Sequence, residues 1–108
     1  MTISQEDIEF SKDLFADLGP ITTRKMFGGL SIYCDGVIFA IIGPEDKLFV
    51  KAKDDLADEL AALGSTQFAF EMKDGKVSRM GYWTLPENAL DDPELACDWA
   101  RKSLTQNT

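Results

Sequence analysis

The chain has 108 residues and is 44% apolar, enough for one domain with a hydrophobic core and no disulfide staples. Its net charge of -8 opposes nonspecific attraction to nucleic acid or anionic membrane, and the lack of histidine removes the commonest general base and metal ligand. No apolar run approaches the ~18 residues of a membrane span. The acidic start, MTISQEDIEF, lacks the basic head and apolar core of a signal peptide, so a cytoplasmic protein is expected.

A first helix is expected from Ser4, with Asp7 in capping-box spacing and Ile3 placed to staple across the cap. Ile8, Phe15 and Leu18 line one face of it, and Phe10 and Leu14 widen that face. Gly19-Pro20 stops it: glycine can take a left-handed C-cap, and proline cannot continue the helix.

Ile21 to Val50 then reads as a meander of four antiparallel strands. The first is about Ile21–Phe27, and Gly28-Gly29 either ends it or bends it into the second through a bulge. The second strand, Leu30–Cys34, leads into Asp35-Gly36, a strong type I′ hairpin signal. The third, Val37–Ile42, is apolar on both faces and so is expected to be the most enclosed, with a layer on each side or a partner on one. After a turn at Gly43-Pro44-Glu45-Asp46 comes a fourth strand, Lys47–Ala52.

A second helix is expected over Asp55–Leu63, capped by Asp54, closed by Gly64 and buried along Leu56, Leu60 and Leu63. A second hairpin follows, with Phe68, Phe70 and Met72 alternating on one strand, a turn at Asp74-Gly75, and Val77–Thr84 as the return strand. Residues 87–91 form a turn or short helical segment. Asp92-Pro93 opens the last helix, with Leu95, Trp99 and the row Ala96, Ala100, Leu104 toward the core and Thr105–Thr108 fraying. The order is α-ββββ-α-ββ-α: an α+β fold with an antiparallel sheet flanked by helices, residues 1–108 being one domain.

The residues offer little catalytic chemistry. Cys34 and Cys97 are far apart in sequence, form no C-x-x-C pair, and read as small buried hydrophobes. Acidic clusters at Asp54-Asp55-Asp58-Glu59 and Asp91-Asp92-Glu94 sit at helix starts, where the helix dipole explains them. No metal or cofactor is expected. Gly28-Gly29 after Arg24-Lys25 lacks a phosphate-loop pattern. Arg24, Lys25, Lys51 and Lys53 would form a basic patch if the first and fourth strands lay close; edge protection is the plainer reading. Tyr33, Tyr82 and Trp83 are either interface aromatics or half-buried sheet residues.

Arg24-Lys25-Met26-Phe27-Gly28-Gly29, followed by Ile32-Tyr33, Asp35-Gly36, Phe39-Ala40 and Leu48-x-x-Lys51, resembles the N-terminal domain of the TfoX/Sxy competence regulators. Phe68-x-Phe70, Met80-x-Tyr82 and Leu85-Pro86 fit the same pattern. The resemblance covers nearly the whole chain. It implies a small α+β domain of the YgaC/TfoX-N type, similar to secretion-chaperone-like folds, and a regulatory, non-enzymatic role beside a transcription activator of DNA-uptake genes. Regulators of that type carry a second, helical domain; the likeness here is to the first alone. The implied partner is a protein such as a transcription regulator, with self-association as a homodimer a further option; direct nucleic-acid binding ranks third, against the net charge of -8, and no membrane attachment is expected. The motif residues Arg24, Lys25, Met26, Phe27, Gly28 and Gly29, with Tyr33 and Lys51, are the candidate interaction residues; they serve equally as bend, packing and ion-pair residues. The alternative is a small anionic ligand or nucleotide held by the basic patch near Arg24 and Lys25.

Overall fold

The computed structural model describes residues 5–26, 29–43, 47–71 and 74–107. Helix α1 (Gln5–Leu14) runs into a 3-10 turn at Ala16–Leu18. Strands β1 (Ile21–Met26), β2 (Gly29–Cys34), β3 (Val37–Ile42) and β4 (Leu48–Lys51) follow, then helix α2 (Asp54–Ala62). Strands β5 (Gln67–Glu71) and β6 (Val77–Thr84), a 3-10 turn at Glu87–Ala89 and helix α3 (Pro93–Asn107) complete the chain. The element order is the expected one. All six strands form one antiparallel sheet in the order β1-β2-β3-β4-β6-β5. The second hairpin therefore extends the meander, with β6 rather than β5 against β4.

Turn chemistry accounts for the connections. Asp35 and Gly36 both have positive φ, 53° and 82°, as a two-residue type I′ turn between Cys34 and Val37 demands. Met26 pairs with Gly29, so the chain reverses between them; β1 and β2 are separate strands and not one bulged strand. A bulge does occur in β3: Ile32 faces Ala40 and Tyr33 faces Ile38, which leaves Phe39 as the extra residue. Phe39 and Ala40 are both fully buried in the core as a result.

That core lies on one face of the sheet. Leu30, Ile32, Ala40, Ile42, Leu48 and Val50 meet Leu14 and Phe15 at the end of α1, Leu56 and Leu60 of α2, and Ala96 and Ala100 of α3. Phe15 and Phe39 stack edge to face with ring centroids 4.9 Å apart. Alanines at α3 positions 96 and 100 let that helix approach β3 and β4 closely. Ser103, fully buried on the same helix, points its hydroxyl between the carbonyls of Phe39 (3.5 Å) and Lys51.

Several local expectations are corrected. Phe10 is 43% exposed and the inner position of α1 belongs to Ser11, whose hydroxyl donates to the Asp7 carbonyl at 2.9 Å. Ile8, Ser11, Leu14, Phe15 and Leu18 make the inward stripe at helical spacing, and Phe10 stands about 100° round the helix from Ser11, outside it. Leu63 is 62% exposed because α2 ends at Ala62, where Gly64 with φ 90° closes it through the Gly64 amide and the Ala61 carbonyl. Lys53, not Asp54, is the N-cap of α2, and no side chain caps it there; Asp54 itself has φ 51°. The Lys53 backbone is instead held from a distance. Its amide donates to Gln106 Oε1 (3.1 Å) and its carbonyl accepts from Gln106 Nε2 (2.8 Å). The same pair of bonds keeps the end of α3 helical through Asn107, where fraying was expected.

The start of α3 follows expectation: Asp92 Oδ1 accepts from the amides of Glu94 (3.1 Å) and Leu95 (3.4 Å), with Pro93 at the first helical position. The expected cap at Ser4 and the turn at Pro44-Glu45-Asp46 lie outside the described residues.

Candidate interaction face

All three helices join the one core cluster, which leaves the opposite face of the sheet without a helical layer among the described residues. Strand alternation decides what that face carries. One cross-strand row runs Arg24, Ser31, Ile41, Phe49 and Thr84 on β1, β2, β3, β4 and β6. The next row runs Thr22, Tyr33 and Ile38, then Lys51 and Tyr82. Tyr33, Ile38, Ile41, Lys51 and Tyr82 are half-buried. Half-burial of isoleucines and tyrosines on a bare sheet face marks an apolar surface bounded by polar tips.

One corner of the face is closed by its own side chains. The Phe68 ring, from β5, meets Phe49 edge to face with centroids 5.0 Å apart, and Phe49 is only 6% exposed. Gly43 makes room for this pair: a Cβ there would lie 2.9 Å from Phe68 Cε2 and 3.1 Å from Phe49 Cε1. Ser31, 1% exposed, has no hydrogen-bond partner for its hydroxyl.

Electrostatics set this face apart. Arg24 and Lys51 are the charged members of its two rows, and no carboxylate stands in either row, although the chain carries 19 acidic and 11 basic residues. Burial pushes the Tyr82 phenol above the usual tyrosine range, and neighbouring Tyr33 pushes it further. Cys34 and Cys97 are free, buried thiols, raised first by desolvation, which suits packing and not nucleophilic attack.

The motif residues divide. Arg24, Tyr33 and Lys51 share the open face. Lys25 pairs with Leu30, a core residue, and so points to the other side of the sheet. The basic patch considered from the sequence therefore does not converge: Arg24 and Lys25 diverge, and β2 and β3 stand between β1 and β4. Met26 pairs with Gly29 at the end of that hairpin; Phe27 and Gly28 lie outside the described residues. Sequence reasoning passed over Ile41, Phe49, Phe68 and Gly43 as parts of one surface. The available signal was apolar residues on both faces of β3 and β4, which a sheet covered on one side leaves half in water.

A shallow depression of about 400 Å³ lies at the end of the sheet between Phe10, Leu48, Leu85 and Leu90, with Asp7 and Lys47 among its lining residues. Its lining is mostly apolar and brings together no acid–base or nucleophilic set. Among the described residues no group of carboxylates and thiols could hold a metal ion, and no helix is long and apolar enough to cross a membrane.

Compared with known proteins, the chain matches a family model described as the TfoX N-terminal domain over residues 13–107. None of the curated proteins matches it.

Proposed function

Since the chain belongs to the TfoX N-terminal domain family, we propose that it works as a non-enzymatic, cytoplasmic interaction module whose open sheet face receives a protein partner, in a regulatory role of the kind that controls DNA-uptake genes. One observation carries this reading: the half-buried apolar face built from Tyr33, Ile38, Ile41 and Tyr82, which no described helix covers. The competence role rests on family membership alone, and the protein-binding role rests on the face. The small-anion alternative needs convergent cations, and Arg24 and Lys25 point to opposite sides of the sheet.

A photo-crosslinking side chain at position 41, on the face, and another at position 62, on exposed α2, test the binding role in the native host. Crosslinks to a discrete protein from position 41 and not from position 62 are expected. Equal labelling from both, or none, overturns the reading. For the regulatory role, transcripts of DNA-uptake genes should fall in an Ile41→Thr strain to the level of a deletion strain; unchanged transcripts in both remove it.

A further inference from the structure

We propose that the occupant of the open face is an acidic amphipathic helix of a different protein, its apolar stripe lying along β2 and β3 and its carboxylates meeting Arg24 on one side and Lys51 on the other. This rests on the reading of the open face as a protein-binding surface. It adds the shape and charge of what binds.

The shape comes from strand order. Arg24 is on β1 and Lys51 on β4, with β2 and β3 between them. Three strand spacings put the two backbones roughly 14 Å apart. A helix with its side chains is about 10–12 Å across, so one helix fits between the two cations. The floor of that span is Ser31 and Tyr33 of β2 and Ile38 and Ile41 of β3. Beyond β3 on the Lys51 side stand Phe49 of β4, packed against Phe68, and Tyr82 of β6. An apolar stripe repeating at three and four residues would meet the isoleucines. The phenol of Tyr33 offers a hydrogen bond on the floor, and that of Tyr82 another one strand beyond Lys51.

The charge comes from the absence of carboxylates in both cross-strand rows, within a chain of net charge -8. The same feature argues against a second copy. A two-fold face-to-face dimer would bring Arg24 and Lys51 of one chain toward those of the other, a like-charge contact. A head-to-tail contact, acidic helices on the open face, would leave the same surfaces free at each end and propagate without closing. A separate acidic helix meets neither obstacle.

The test is a display library of helical segments of about 20 residues, varied in charge and in apolar spacing, selected against the immobilised full chain. Enriched sequences are expected to be acidic, with an apolar stripe at helical spacing. Each of Arg24→Glu and Lys51→Glu should weaken a selected peptide about tenfold, an effect that grows as salt is lowered. Ile38→Thr/Ile41→Thr, which keeps β-branched residues in the strand, should abolish binding. Thermal unfolding of each variant checks that it remains folded. Peptides that need Ile38 and Ile41 but are neutral or basic, or ignore both charge reversals, overturn the acidic helix and leave the binding face standing. Failure to select any peptide that the double threonine variant releases overturns both.

Discussion

The two faces of the sheet are built from the same strands and obey opposite rules. On the helix side, Phe39, Ile32 and Leu30 are fully buried in the core that the helices share, and among the described residues the buried serines there have partners: Ser11 on the Asp7 carbonyl, Ser103 between two strand carbonyls. On the other side the isoleucines and tyrosines stop at half-burial, and buried Ser31 has no bond for its hydroxyl. A closed face spends its residues on packing, whereas a face kept half-apolar and slightly basic remains available for contact. The shared strands make the difference measurable within one molecule.

Two phenylalanines give the largest contrast. Phe39→Ala removes a fully buried ring under two helices and should cost about 3–5 kcal/mol in urea unfolding. Phe49→Ala, on the open face, should cost about 2 kcal/mol, since the vacated space can fill with water or with Phe68. Equal losses would mean that the open face is as much a core as the closed one.

The serine pair sharpens the contrast with opposite signs. Ser103→Ala should destabilise by about 1–2 kcal/mol, because the buried Lys51 and Phe39 carbonyls lose a donor. Ser31→Ala should be neutral or slightly stabilising, since it deletes a buried hydroxyl without a partner. A clear loss of stability in Ser31→Ala would show that its hydroxyl is bonded in solution.

Gly43→Ala should cost about 1 kcal/mol by crowding the Phe49–Phe68 pair. In a double-mutant cycle with Phe68→Ala most of that loss should vanish, as the ring nearest the new methyl is gone. Full additivity would place the strain in the backbone instead.

The smallest effect is with pH. Without histidine, stability should be nearly flat between about pH 6 and 8. Cys34, Cys97 and Tyr82 all have folded pKa values raised above their unfolded ones. The unfolded chain therefore loses those protons first, so stability is fully present below the unfolded values and declines as pH rises through about 8.5 and then about 10. Tyr82→Phe should flatten the upper part of that decline in denaturant melts at fixed pH, and Cys97→Ala the lower part.

Much of the fold was legible because local signals agreed with each other. Asp35-Gly36 demanded a two-residue reversal, Asp92-Pro93 a helix start, and Gly64 a helix end, and each stands where its chemistry puts it. The failures are as specific. Leu63 continued a helical stripe whose helix had already stopped, and Phe10 widened a stripe narrower than its neighbours suggested. Asp54 looked like a cap, yet the chain there is held by Gln106, 53 residues away, which no local pattern reveals. Of the candidate site, Arg24, Tyr33 and Lys51 were named correctly as sheet residues, but their shared face depends on register.

By itself the sequence determined the elements, their order and the apolar character of β3 on both sides, because these follow from residue periodicity and turn chemistry within short windows. Only the tertiary structure decided that all three helices pack on the same side, that β6 closes against β4, and that Lys25 leaves the face where Arg24 stays. Those outcomes come from strand pairing between distant segments, where one residue of register turns a side chain from core to surface. The same pairing leaves Ile38 and Ile41 half in water opposite a completed core.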